Sequence, residues 1–79
     1  MKNKWLVIWN TKDRNDLTDE RLFDTYEEAL HFFDCVEYEM TESYKISLDD
    51  FNLSLQSVKV DEYDEWNDIN DTYKSIGNY

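Results

Sequence analysis

Carboxylates are the residues of this sequence most capable of chemistry, and they concentrate in two segments. Residues 61–71 carry six acids, and no base lies between Lys59 and Lys74. The candidate site residues of the other segment, residues 27–42, are five acids and a tyrosine: Glu27, Glu28, Asp34, Tyr38, Glu39 and Glu42. Dense carboxylates can coordinate a hard cation, exchange protons as an acid–base pair, or attract a positively charged partner.

The first two of these roles lack the spacing that they need. The 61–71 run has neither the loop glycine nor the terminal glutamate of an EF-hand. His31 and Cys35 are the only histidine and cysteine, and helical geometry places both outside the apolar stripe of their segment. We expect a solvated surface position for His31 and a packing role for Cys35. The sequence therefore predicts a protein that is not an enzyme, with no cofactor and no metal site.

The charge balance favours the third role, attraction of a basic partner. Nineteen acids against eight bases give a net charge of −11. Residues 1–24 carry five of each and net zero, so the whole excess lies in residues 25–79. Such a surface repels nucleic acid and anionic lipid. We expect a basic protein partner, no direct binding of nucleic acid and no membrane contact.

Length and cysteine content define the class of protein. A chain of 79 residues has room for one core, so we predict a single domain over residues 1–79. One cysteine forms no internal disulfide, which is typical of the cytosol. The apolar run from Trp5 to Trp9 is shorter than a signal or membrane segment. We therefore expect the protein in the cytoplasm.

The first half of the chain gives clear signals of secondary structure. Residues 4–10 alternate large apolar side chains on both faces, which predicts a central strand, and residues 21–23 can pair with it in antiparallel. Thr25 and Glu28 fit a capping box in which each side chain reaches the backbone N–H of the other residue. A helix is predicted from Tyr26 to about Glu42. Its apolar stripe consists of Tyr26, Ala29, Leu30, Phe33, Val36 and Met40.

The second half is less decisive. Residues 44–60 are either a loop and one strand or a hairpin around Asp49 and Asp50, with a bulge or a switch of buried face near Gln56. Apolar residues from 66 to 76 recur at spacings of 3, 4 and 3, which predicts a second helix over residues 62–76 with Gly77 just beyond its end. The expected fold is α+β, a small antiparallel three-stranded sheet packed by one or two helices in the order β-β-α-β-α.

Aromatic rings interleave with the acids in both segments. In the second, the candidate binding residues are Glu62, Tyr63, Asp64, Glu65, Asp68 and Asp71. Rings that provide contact beside charges that steer association are typical of interfaces, although a charge run can also be only a solvated face. Carboxylates on two helices would imitate the regular phosphate charges of a duplex.

In its size, acidity, lack of disulfides and interleaving of aromatic and acidic residues, the chain resembles small acidic proteins of phages and mobile elements. Those proteins inhibit restriction, CRISPR or DNA-repair enzymes by occupying their nucleic-acid groove. The resemblance implies a DNA-mimic inhibitor, in its most specific form an anti-CRISPR protein. Two other classes stay open: an immunity protein or antitoxin that covers the cleft of a toxin nuclease, and an adaptor domain with an apolar interface.

Overall fold

The computed structural model describes residues 2–13, 17–63 and 65–79, with only the backbone of residues 67 and 68. Within these residues the elements are strands β1 (Lys2–Thr11) and β2 (Asp19–Phe23), helix α1 (Tyr26–Tyr38), a π-helical turn (Glu39–Ser43), and strands β3 (Phe51–Val60) and β4 (Trp66–Gly77). The strands form one antiparallel sheet in the order β2-β1-β3-β4. The fold is therefore α+β, as predicted.

Strand β1 is central and buried on both faces. Val7, on the face that α1 covers, and Leu6, on the opposite face, are both fully buried. Leu22 pairs with Leu6, so β2 is the antiparallel partner that the sequence predicted. Large apolar residues occupy both faces of β1 because each face packs against an apolar cluster.

Helix α1 begins at the predicted cap. The Thr25 hydroxyl accepts a hydrogen bond from the Glu28 backbone N–H at 3.3 Å and donates to the Glu28 carboxylate at 2.9 Å. The predicted return bond, which the Thr25 backbone N–H would donate to the Glu28 carboxylate, is replaced by this contact between side chains. The buried residues of the helical segment belong to the predicted stripe: Ala29, Phe33, Val36 and Met40. Among the described residues, no helix is both long and apolar enough to cross a membrane.

The predicted second helix is wrong. Residues 66–77 form β4, a fourth strand that pairs with β3 along its length, so the described chain has four strands and one α-helix. Gly77 does have a positive φ of 93°, but it closes a strand and not a helix. Ile69, one of the apolar residues whose spacing predicted that helix with its core-facing side, is 50% exposed.

Bulges in β4 explain the first step of the misleading periodicity. The register between β3 and β4 shifts after Leu55, after Ser57 and after Lys59. Each shift leaves one extra residue on β4: Tyr73, Asn70 and Asn67. With an extra residue in each repeat, positions on one face recur every three residues instead of every two. Trp66 and Ile69 are therefore successive positions on one sheet face, although their spacing is that of a helix.

The segment before β3 is a loop, which decides the alternative that the sequence left open. Residues 44–50 contain no strand, and β3 begins at Phe51. The apolar phase changes as predicted, because Leu55 faces α1 whereas Val58 lies in the cluster on the opposite face. The pairing of β1 with β3 continues without a shift through this point. The change is thus a switch of buried face, and the bulges lie on β4.

Candidate functional site

The acids of α1 divide between two sides of the helix. Residues advance by about 100° around the axis, and the contacts with β4 fix the orientation. Asp34 lies on the β4 side, where its carboxylate contacts the Lys74 ammonium at 3.3 Å. Glu27 projects in nearly the same direction, whereas Glu28 and Glu39 turn toward the β1–β2 side.

Tyr38 and Glu42 lie on the outermost part of the helical segment. Tyr38 is 65% exposed, and Glu42 is also exposed. Nothing in the described part of the chain covers them. The helix residues predicted for binding are thus all exposed, but they do not form one patch.

The second predicted cluster divides between the turn that joins β3 to β4 and strand β4 itself, which contains Asp68 and Asp71. The Asp61 carboxylate accepts hydrogen bonds from the backbone N–H groups of Tyr63, at 2.9 Å, and Glu65, at 3.1 Å. Asp61 therefore holds the turn, which leaves Glu62, Tyr63 and Glu65 exposed at its tip. Asp64 and the side chain of Asp68 were also predicted to bind, and both lie outside the described residues.

Strand β4 links the turn to α1 along one side of the molecule. The Tyr73 ring packs edge-on against the Tyr26 ring, with 5.7 Å between centroids. Asp71 is exposed and pairs with Ser57, a position on the sheet face that α1 covers. Asp71 therefore lies on that face, between the start of α1 and the β3–β4 turn. Glu65 lines a cavity with Leu22 and Trp66 on the opposite sheet face, so the acids continue around the turn from one face to the other. We define the acidic surface as Glu27, Asp34, Glu62, Glu65 and Asp71, which includes both faces at the turn.

Most carboxylates of the acidic surface form no ion pair within the described residues. Among the described residues, Asp34 is its only member in an ion pair, and the Lys74 side chain of that pair is 42% exposed. Exposed ion pairs of this kind contribute about 0–1 kcal/mol to stability. The Asp34 carboxylate is therefore held only weakly by Lys74 and can also attract a partner. The molecule itself is 38 Å long, which corresponds to about eleven base-pair steps of a duplex at ~3.4 Å each.

Sequence reasoning missed a cavity on the opposite side of α1, lined by Trp9, Asp19, Phe32 and Cys35 among others. Cys35 was expected to pack, but it is exposed, with its Sγ 3.9 Å from Nε2 of His31. His31 is exposed as predicted. The sequence did contain an indication of the cavity. Phe32 is a large aromatic residue outside the apolar stripe, and such residues are uncommon on a helix face that is fully exposed to solvent.

The chemistry available at the acidic surface is electrostatic. In the described part of the chain, no three His, Cys, Asp or Glu side chains are grouped so that they could hold a metal ion. The acidic surface presents fixed negative charge, with the ring of Tyr63 at its turn end and the ring of Tyr38 at its helix end. No protein-family model, curated protein or solved structure matches the chain.

Proposed function

We propose that this protein binds the basic, nucleic-acid-binding surface of another protein and keeps nucleic acid away from it, without catalysing a reaction. The supporting observation is the acidic surface, on which Glu27, Glu62, Glu65 and Asp71 are exposed and have no ion-pair partner among the described residues. Charges that are not neutralised within the chain are available to steer a positively charged partner.

The more specific form of the proposal follows the compositional resemblance to phage inhibitors. The partner would be a guide-RNA-directed nuclease in the host cytoplasm, and the protein would act as an anti-CRISPR inhibitor. A basic groove built for a phosphate track would accept carboxylates that extend from the β3–β4 turn to α1.

The proposal is tested by displacement of a fluorescent DNA duplex from purified nucleases. The panel contains a guide-RNA-directed nuclease, a restriction endonuclease and a toxin nuclease, each at about 50 and about 500 mM salt. Wild-type protein should displace the duplex from the first enzyme, and more strongly at low salt because exposed charges are then less screened. Displacement from the toxin nuclease alone would favour an immunity protein.

Two charge-reversed variants locate the binding surface. The Glu65→Lys/Asp71→Lys variant changes two members of the acidic surface. The control, Asp13→Lys/Asp50→Lys, makes the same change in net charge at the other end of the sheet. We expect the first variant to be at least about tenfold weaker at low salt and the control to stay close to wild type. Equal losses in both variants would mean that net charge alone attracts the partner, and full displacement by the first variant would overturn the proposal.

A further inference from the structure

A cavity of about 190 Å³ opens between the C-terminal half of α1 and the β1–β2 side of the sheet. Phe32, Cys35 and Glu39 line one wall, because residues three and seven positions apart share a helix face. Trp9 and Asp19 lie opposite each other in the β1–β2 ladder and line the other side. Pockets for small molecules measure about 300–1,000 Å³, so this cavity has the size for a single side chain.

The lining combines aromatic faces with carboxylates. The Trp9 and Phe32 rings lie 5.6 Å apart with their planes inclined at 51°. Asp19 and Glu39 are exposed beside them; one Asp19 oxygen accepts the Glu20 backbone N–H at 2.8 Å. The Glu39 carboxylate has no hydrogen-bond or ion-pair partner within the described residues. Aromatic faces attract cations through the ring quadrupole, and carboxylates add direct charge attraction.

The chain already places one guanidinium against the same aromatic group. The Arg21 Cζ lies 5.3 Å from the Phe32 ring centroid and 5.6 Å from that of Phe23. Arg21 is not among the residues that line the cavity. Of the described residues that line the cavity, two are acids, Asp19 and Glu39, and none is a base.

We propose that the cavity receives one arginine side chain of the basic partner. This inference rests on the proposed function, because it names the group through which that partner is anchored. Arginine fits better than lysine, since its planar guanidinium stacks on aromatic rings and is more weakly hydrated than an ammonium. The acidic surface would attract the partner from a distance, and the cavity would fix its position.

Cys35 makes the cavity testable without the partner. It is the only cysteine of the chain, it is exposed, and it lines the cavity. Iodoacetamide, a neutral reagent, alkylates it by forming an S–C bond as iodide leaves. Blocked arginine amide should compete, and the matched control is blocked citrulline amide, which has nearly the same shape without the charge. A ligand of this size is expected to bind with a Kd in the millimolar range, and at three times Kd it should slow alkylation about fourfold.

Neutralising the cavity should remove this protection. In the Asp19→Asn/Glu39→Gln variant we expect arginine amide to protect Cys35 no better than citrulline amide does. The control is Glu27→Gln/Glu42→Gln, which makes the same change in the net charge of the protein but leaves the cavity lining unchanged. It should keep the wild-type protection. Circular dichroism confirms that both variants are folded, and the wild-type comparison of the two amides needs no variant.

Two results would overturn the proposal: equal protection of the wild type by the two amides, or protection by arginine amide that survives in the neutralised variant. Neither bears on the acidic surface, whose test is the sensitivity of duplex displacement to reversal of Glu65 and Asp71. Failure of the cavity and failure of the proposed function are therefore distinguishable.

Discussion

The indole N–H of Trp66 donates a hydrogen bond to the carboxylate of Glu20, which joins the two edges of the sheet. Trp66 begins β4 and Glu20 belongs to β2, so β1 and β3 lie between them. A contact between edges requires a strongly curled sheet, and bulges increase the local twist of a strand. The curl brings the Trp66 ring over the face opposite α1, where Leu6, Val58 and Val60 are fully buried.

Substitution of Trp66 should separate the hydrogen bond from the packing of the ring. Trp66→Phe retains an aromatic ring but removes the N–H, and we expect it to lower the free energy of unfolding by about 0.5–1.5 kcal/mol. Trp66→Ala also uncovers the apolar cluster and should cost about 2 kcal/mol or more. Urea denaturation measures both. If the two variants were equally stable, the ring would not be what covers Val58 and Val60.

The helix cap provides a second prediction. Thr25→Ala removes the hydroxyl that accepts the Glu28 backbone N–H, so we expect a loss of about 0.5–2 kcal/mol in the free energy of unfolding. Thr25→Ser keeps the hydroxyl and should stay within about 0.5 kcal/mol of wild type, since serine and threonine are both good caps. Urea midpoints compare the three proteins. Full stability of the alanine variant would show that the hydroxyl contributes nothing to the start of α1.

The sequence predicted those elements whose local signals agree with their surroundings. At the start of α1, the cap at Thr25 and the stripe through Phe33 point to the same helix, and tertiary packing buries that stripe. The strand pattern around Val7 likewise matches the apolar surroundings of β1 on both faces. In each case, propensity, periodicity and burial give the same answer.

Strand β4 was missed because its periodicity depends on pairing that no local pattern reveals. Bulges convert a spacing of two into a spacing of three, and the Trp66 to Ile69 step then looks helical. The composition of this segment argued against a helix, because Asn67, Asn70 and Thr72 are poor helix formers. The candidate site was also predicted only in part. Its acids can be read from the sequence, but the cavity at Trp9 and Phe32 forms only when segments distant in the sequence pack together.

The end of β4 provides the third prediction. Gly77 has a φ of 93°, and a Cβ at this position would collide with the Phe51 carbonyl oxygen and lie 2.8 Å from the Asn52 Cα. Both neighbours are backbone atoms that do not move aside easily. We expect Gly77→Ala to lower the free energy of unfolding by about 1–3 kcal/mol. The nearby, exposed Ser75→Ala should change it by less than about 0.5 kcal/mol. If urea denaturation showed Gly77→Ala to be as stable as wild type, the backbone at the end of β4 would be able to adopt another conformation that avoids the collision.

The last prediction separates stability from binding at the two ends of the helical segment. Glu42 lies near the negative C-terminal end, whose last turn carries no base, whereas Glu27 lies in the first turn of α1, near the positive end. Glu42→Lys should therefore raise the free energy of unfolding by about 0.3–1 kcal/mol, and Glu27→Lys should lower it by a similar amount. Both variants reverse one charge at an exposed position, but only Glu27 belongs to the acidic surface. We therefore expect Glu27→Lys to weaken duplex displacement from the nuclease at low salt more than Glu42→Lys does. Urea midpoints and displacement curves are measured on the same preparations.

A Glu42→Lys protein that is more stable and binds less well would show that Glu42 contributes to binding at the expense of stability. If Glu42→Lys were more stable and bound as wild type, Glu42 would be only part of a solvated face, and the interface would end before the C-terminal turn.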